Sequence, residues 1–339
     1  MDERYSRQIL FGPIGAAGQQ KLLDARVLLV GVGALGCAQA EMLARAGVGK
    51  IRLVDRDFVE TTNLQRQTLY SEDDALERLP KAVAAKKRLL QINSGVEIEE
   101  IVADVTNSNI EQLISGCGLV LDGTDNFRIR YLINDACVKA GIPWIYGAAV
   151  SSYGMTMNVI PGETPCLRCI FPEMPDPGSA PTCDTAGVIA PVVMRVAAMQ
   201  AAEAFKFLVG DRASLSSKLR QFDVWTNDGK TIGTGSPDPN CRTCGKREFE
   251  FLDADTVEFA AVLCGRNAVQ IAPDRGGKLD LDALADRLKF NFSVNQNEYL
   301  LRFSPEDCEV TVFSDGRAII KGIDDTAAAR SLYAKYIGN

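Results

Sequence analysis

Apolar residues in the first two thirds of the chain fall into short unbroken runs, and between the runs lie stretches with helical spacing. That alternation builds a sheet covered on both faces. Residues 27–30 form one such run, followed by Gly31-Val32-Gly33-Ala34-Leu35-Gly36, an alanine-rich helix over 34–46 and a second strand over 50–54. Leu79-Pro80 precedes Lys81, which opens an amphipathic stretch through Ala82, Val83, Leu89 and Leu90. Residues 119–121 are another buried strand, delivering Asp122-Gly123-Thr124-Asp125-Asn126 at its carboxyl end. The pattern predicts further strands over 97–102, 144–149, 154–160 and 218–223, early helices over 6–10 and 16–23, and a long apolar helix over 188–208. Met194, Met199 and Phe205 on that helix are expected to pack in the core. Clusters of Gly, Ser, Pro and Asp mark 210–217 and 229–240 as loops. No internal repeat is visible.

From about residue 250 the pattern changes. Residues 259–271 are apolar, 281–288 have helical spacing, and 299–303 and 309–313 alternate as strands. Asp315-Gly316 is a hairpin signal before 317–321, and Asp324 or Asp325 begins an amphipathic helix that runs to 336. The expected organisation is one α/β unit over 1–248 and a small α+β module over 249–339. The module is expected to help bind a partner or to brace a dimer. Its Cys264 reads as a buried turn residue, with a second relay thiol as the alternative.

The chemistry concentrates after the first strand. Gly31, Gly33 and Gly36, with Ala34 between them, form a turn that lets phosphates approach the N-terminus of the next helix. Asp55 ends the second strand, where a carboxylate can accept hydrogen bonds from ribose hydroxyls. Up to this point NAD, FAD and ATP fit equally. The following Asp57, Asn63, Arg66 and Gln67 make a polar cluster that a hydride-transfer site does not need. Arg66 and Lys81 can neutralise a triphosphate. Asp125 lies at a strand's carboxyl end and suits a Mg²⁺ that bridges phosphates, with Asp122 competing for that role and Asn126 as a further polar contact.

Composition narrows the class. The 339 residues carry a net charge of −7, which speaks against a general nucleic-acid surface. There is no apolar signal region and no membrane-length apolar run, so the protein is expected to be cytoplasmic. Histidine is absent. Acid–base work must then fall to carboxylates, lysine, thiols or water, which suits adenylyl transfer because an ionised carboxylate is already a nucleophile. Of the ten cysteines, Cys166-Leu167-Arg168-Cys169 and Cys241-Arg242-Thr243-Cys244 are two chelating turns suited to a structural Zn²⁺ at about 2.3 Å per sulfur. Cys37, Cys117 and Cys137 sit in apolar patterns and read as core residues. Cys183 follows the proline-rich segment from Phe171, read as a loop over the site. Its thiol could attack an acyl adenylate or serve in a sulfur relay; the alternative is an inert loop thiol.

Taken together, these pieces resemble the ThiF/MoeB/HesA family, relatives of the ubiquitin-activating enzymes. The matching segments are Arg4-Tyr5-Ser6-Arg7-Gln8, the Gly31–Gly36 turn, Val54-Asp55-Arg56-Asp57, Asn63-Leu64-Gln65-Arg66-Gln67, Pro80-Lys81, Thr124-Asp125-Asn126, Thr182-Cys183 before Ala186-Gly187, and both Cys-x-x-Cys pairs. They occur in order over about residues 4 to 245. Departures are slight: Ala34 stands where glycine is frequent, and Thr61-Thr62 precede Asn63. The resemblance implies a Rossmann-like open, mostly parallel sheet with helices on both faces, stapled by zinc, and usually a homodimer. It implies ATP-dependent adenylation of the C-terminal glycine carboxylate of a small ubiquitin-fold carrier ending in Gly-Gly. It casts Arg7 as an arginine that reaches the partner subunit's ATP. It gives the cysteine matching Cys183 a sulfur-transfer or acyl-accepting role, with a sulfur donor protein as a further partner. No rhodanese-type loop is seen in the C-terminal module, so a fused sulfur donor is not expected. The rival expectations are a nicotinamide or flavin oxidoreductase and a non-catalytic adaptor for a ubiquitin-fold protein. The joint presence of Arg7, Arg66, Lys81 and Asp125 argues against the adaptor.

Overall fold

The first two thirds of the chain winds its strands into one sheet: β1 (Arg26–Val30), β2 (Lys50–Asp55), β3 (Glu97–Val102), β4 (Leu119–Asp122), β5 (Trp144–Val150), β6 (Tyr153–Val159), β7 (Lys218–Asp223) and β8 (Gly229–Gly233), in the order β3-β2-β1-β4-β5-β6-β7-β8. The computed structural model describes residues 3–176, 179, 181–254, 260–263, 267–272, 279–305 and 307–338. The strands from β3 to β5 pair in parallel, and β5 to β8 continue antiparallel, β6 and β7 being joined through the long helix Ala190–Val209. The unbroken apolar runs follow from burial on both faces. Val27 and Leu29 of β1 pack into one core with Leu43, Ala44, Leu53 and Leu89, while Leu28 and Val30 pack into another with Val120, Ile133 and Ala136. The first core lies under the helices Ala34–Ala46 and Lys81–Ile92, the second under Phe127–Ala140.

β1 connects to β2 on one side of it and has β4 on the other, so strand order reverses between β1 and β4. A crevice therefore opens above their carboxyl ends. The Gly31 turn and the Gly123–Asn126 loop both start there: Gly31 N donates to Val54 O at 2.8 Å and Gly123 N to Val30 O at 2.9 Å.

The long apolar helix spans Ala190–Val209, starting after the extended Ile189 and ending at Gly210, whose φ of 87° closes the C-terminus. Met194, Met199 and Phe205 pack partly buried against the cores. The segment 229–240, expected as loop, instead begins with β8, an edge strand exposed throughout. Cys37 and Cys137 are fully buried, and burial pushes the Cys37 thiol up to about 12. Cys117 is half-buried at the edge of the second core, against which it packs, with an Arg52 nitrogen 3.8 Å from its sulfur.

The chain divides into two compact units, Met1–Ala254 and Asp255–Asn339. Phe249 and Leu252 are buried in the first unit's core, which therefore continues past residue 248. The second unit holds an antiparallel sheet of β9 (Ala260–Leu263), β10 (Ala268–Ile271), β11 (Asn295–Gln296), β12 (Leu300–Phe303), β13 (Glu309–Phe313) and β14 (Ala318–Lys321), ordered β11-β12-β13-β14-β10-β9. Val269, Val310, Val312 and Ile320 pack there with the helices Leu281–Leu288 and Thr326–Tyr336. The second helix is capped by Asp325, which accepts from Ala327 N at 2.9 Å. Cys264 lies outside the described residues. Among those described, no helix is long and apolar enough to cross a membrane.

Candidate functional site

The glycines of the turn are required for different reasons. A Cβ on Gly36 would lie 2.0 Å from the carbonyl oxygen of Gly31, and one on Gly123 would lie 2.4 Å from the same atom. These two positions let β1, β4 and the helix Ala34–Ala46 close on one another. A Cβ on Gly33 would meet only Gln67 Nε2, at 3.9 Å. Gly33 therefore keeps space open rather than permitting a contact. It also N-caps the helix without a side-chain hydrogen bond, which leaves the first backbone N–H groups directed into the crevice.

Asp55, Asp57, Gln67 and Lys81 gather around this turn. Asp55 accepts from Val32 N at 2.7 Å and from Asp57 N at 2.8 Å, one bond to each oxygen. Each oxygen keeps acceptor capacity for a hydroxyl. Burial raises the Asp55 carboxyl above its ordinary value, the Lys81 charge opposes that, and Asp57 adds to it. Lys81 is 4% exposed at the start of its helix, with its ammonium 3.2 Å from Asp57 Oδ2. Tyr70 holds the turn from below by donating to the Val32 carbonyl at 2.6 Å. Gln67 is 4% exposed, and its Oε1 has no hydrogen-bond partner. A buried orphaned acceptor beside an open glycine fits a site completed by a ligand donor.

Other expected residues take local positions. Asn63 is buried, and its Oδ1 accepts from Glu60 N at 3.0 Å, so it shapes the loop. Arg66 is half-buried and donates to the Thr62 carbonyl at 2.9 Å. Asp125 is exposed at the end of β4, whereas Asp122 is fully buried. Asp122 accepts from Thr124 N and Oγ1, Arg130 Nε and Gly147 N, which withdraws it from competition as a metal ligand. Asn126 caps the helix Phe127–Ala140 by accepting from Ile129 N at 3.3 Å. Arg7 is exposed in a segment docked far from this turn. Its neighbour Gln8 donates to the Ala46 carbonyl at 3.0 Å, at the opposite end of the helix that begins beside Gly33.

The Cys183 segment is a single helical turn, Cys183–Ala186, instead of loop alone, because Thr182 caps it by accepting from Thr185 N at 3.2 Å. The half-buried Cys183 sulfur donates to the Ala149 carbonyl at 3.4 Å. Ala149 lies near the carboxyl end of β5, two strands from the glycine turn, or about 10 Å across the sheet.

The four thiols of the two Cys-x-x-Cys turns converge. Cys166 Sγ lies 3.8 Å from Cys169 Sγ and 3.6 Å from Cys241 Sγ, and Cys169 Sγ is 3.3 Å from Cys244 Sγ; all four are within 4.8 Å of one another. A tetrahedral ion at about 2.3 Å from each sulfur sets their separations at roughly 3.8 Å, so this cluster could hold a metal ion. The hydrogen bond from Cys166 holds the Cys169 thiol down at about 5, and burial lifts Cys244 to about 12. Thr243, between the second pair, donates to Asp135 at 2.9 Å, and Leu167, between the first, donates to Asn134 at 2.9 Å; both turns are thus fastened to the helix Phe127–Ala140.

The pair Asp122–Arg130 and the tyrosine Tyr70 were not singled out as a unit by their sequence. The only available signal was a basic residue one turn into the helix that Asn126 caps.

Residues 5–243 match the model of the ThiF family. The sulfur carrier protein ThiS adenylyltransferase of Bacillus subtilis (strain 168) is 48% identical over 340 residues, covering 100% of both chains. The SAMP-activating enzyme E1 of Haloferax volcanii is 38% identical over 261 residues, 77% of this chain and 95% of that protein. Among solved structures, E. coli MccB with ATP superposes with a TM-score of 0.64 at 27% identity, covering 72% of this chain and 75% of that one. With its family model spanning most of the chain and a relative that similar from end to end, the chain belongs to the ThiF family and is an adenylyltransferase.

Proposed function

We propose that the protein adenylates the C-terminal glycine carboxylate of a small ubiquitin-fold sulfur carrier ending in Gly-Gly, consuming ATP and releasing pyrophosphate. The observation that carries this reading is the buried Lys81 ammonium beside the uncapped helix N-terminus, with Asp55 opposite and the space above Gly33 left open. Cation, backbone N–H groups and ribose acceptor together recognise a nucleoside triphosphate. The similarity to a ThiS adenylyltransferase over the whole chain supports a carrier of that kind.

In this scheme the phosphates rest over Gly31–Gly36 and the ribose hydroxyls bind Asp55. The carrier's carboxylate oxygen attacks the α-phosphorus, a bond to phosphorus forms, and the bond to pyrophosphate breaks. No protein base is needed, because the carboxylate is already ionised. Lys81 and Arg66 offset the growing charge, and Arg7 of a second subunit completes the set in a homodimer. Asp125 would hold the Mg²⁺ that neutralises phosphate charge, and its exposure at the strand end suits a partly hydrated ion. Cys166, Cys169, Cys241 and Cys244 would hold a structural Zn²⁺. In a following step the Cys183 thiolate attacks the acyl carbon, forming a thioester as AMP leaves. A nucleophilic sulfur of a donor protein then attacks the same acyl carbon, and the Cys183 thiolate leaves.

The test is carrier-dependent exchange of labelled pyrophosphate into ATP. Exchange is expected with a Gly-Gly-ending carrier from the same organism, and it should survive Cys183→Ala, which acts only afterwards. Failure with every such carrier would overturn the proposal.

A further inference from the structure

Arg130 is 4% exposed, and the adenylation scheme gives its charge no task. Its Nε donates to Asp122 Oδ2 at 3.1 Å, and its Nη2 donates to the carbonyls of Thr124 at 2.7 Å and Gly147 at 3.2 Å. The guanidinium carbon lies 5.5 Å from the ring centroids of both Phe127 and Tyr146. Its partner Asp122 is 0% exposed. Asp122 Oδ1 accepts from Thr124 N at 2.9 Å and Thr124 Oγ1 at 2.7 Å, and the Asp122 carbonyl accepts from Gln39 at 2.9 Å and Gln200 at 3.0 Å.

Stability alone does not account for this arrangement. Burying two charges costs several kcal/mol per ion in real proteins, and well-packed apolar residues of similar volume commonly do as well or better. What a guanidinium adds is direction: a rigid planar fork fixes several acceptors at once. The acceptors here are well placed for function. Thr124 immediately precedes Asp125, and Gly147 lies in β5 two positions before Ala149, whose carbonyl meets the Cys183 sulfur. One side chain thus fixes the ends of β4 and β5, which carry the expected metal ligand and the contact of the expected thiol.

We propose that Arg130 is a positioning residue of the adenylation site: acting through Asp122 and the Thr124 carbonyl, it sets where Asp125 meets the metal–phosphate group. The proposal rests on the adenylation reading. An error of about 1 Å in such a constellation can cost about a hundredfold in rate.

The experiment compares wild type, Arg130→Lys and Thr124→Val in carrier-dependent pyrophosphate exchange, titrating Mg²⁺ and ATP separately, with a thermal melt of each protein. Arg130→Lys keeps a cation opposite Asp122 but loses the fork; Thr124→Val keeps the ion pair and removes only the hydroxyl bond. Both are expected to raise the Mg²⁺ concentration for half-maximal exchange, Arg130→Lys by about tenfold or more, with a fall in kcat that exceeds any loss of folded protein. If Arg130→Lys does not fold, Asp122→Asn takes its place with the same expected rise: it removes the anionic acceptor of Arg130 Nε while keeping an oxygen for Thr124. An unchanged Mg²⁺ requirement in the folded variants, with activity merely tracking the folded fraction, would overturn the proposal. Absence of exchange in the wild type would instead overturn the adenylation reading beneath it.

Discussion

Gly33 and Gly36 stand three positions apart, yet the structure gives them opposite sensitivities. An added methyl at Gly36 meets the Gly31 backbone at 2.0 Å, and backbone cannot swing aside. Gly36→Ala should therefore lower stability by about 1–3 kcal/mol or more, read by denaturant unfolding. Gly33→Ala meets nothing closer than 3.9 Å and should melt like wild type while losing most ATP affinity, read by calorimetry. Equal losses of stability in the two variants would contradict that division. Lys81 is the other sensitive residue. It is buried against Asp57, and its charge opposes the rise that burial imposes on the Asp55 carboxyl. A carboxyl raised above its ordinary 3.8 holds its proton longer in the folded than in the unfolded chain, so it favours folding at acid pH. That contribution is lost as pH climbs from 3.8 through the folded value. Lys81→Met removes the opposing cation, raises that value further and leaves two neighbouring carboxylates without it. The variant should be destabilised by about 3–5 kcal/mol at neutral pH and should approach wild type toward pH 4, read by unfolding across that range. A deficit independent of pH would show that Lys81 stabilises through packing alone.

At the scale of elements, legibility followed the amount of local information each segment carries. β3, β7, β13 and the helix Ala34–Ala46 occur with the bounds expected of them; β13 and the helix are mostly buried, whereas β3 and β7 bury one and two residues and owe their bounds to pairing with β2 and with β6 and β8 as well. β8 gave no such signal: glycines end it at both sides and every residue is exposed, so pairing with β7 alone makes it a strand. The helix Glu72–Leu76 owes its existence to a capping box between Ser71 and Asp74 instead of an apolar stripe. The gathering of Asp55, Asp57, Gln67 and Lys81 was legible because all four follow the strand and helix starts that fix the crevice. The Asp122–Arg130 pair was not, since only the folded helix turns the arginine back under β4. The thiol cluster joins two chelating turns 75 residues apart, and it is the element whose metal content can be measured directly. Purified protein should carry about one Zn²⁺ per chain, and Cys241→Ser should lose it together with several degrees of thermal stability. Metal-free wild type of unchanged melting temperature would mean that the thiols act without an ion.

The whole molecule decides whether Arg7 can serve catalysis at all. Its segment is fastened at one end of the helix Ala34–Ala46: Gln8 donates to Ala46 O, and Tyr5 accepts from Asn93 at 2.9 Å beside Gly47. The glycine turn lies at the other end, a helix of 13 residues away. That is about 20 Å, well beyond the reach of an arginine side chain. An Arg7 that touches ATP must therefore touch the ATP of another chain, and a two-fold dimer makes the exchange reciprocal. Mixing variants tests this directly. Arg7→Ala lacks the donated arginine, and Asp125→Ala, altered at an exposed residue, should fold but lack its own metal ligand. Each homodimer should be close to inactive in pyrophosphate exchange. In a mixed dimer the Arg7→Ala chain still has Asp125 and receives Arg7 from its partner, so one of the two sites is whole. Random exchange of equal amounts makes half the dimers mixed, and activity should recover to about a quarter of wild type. Recovery requires both subunit exchange and donation across the interface. No recovery after exchange has been verified by mass spectrometry would remove Arg7 from the site and leave Lys81 and Arg66 to neutralise the triphosphate without it.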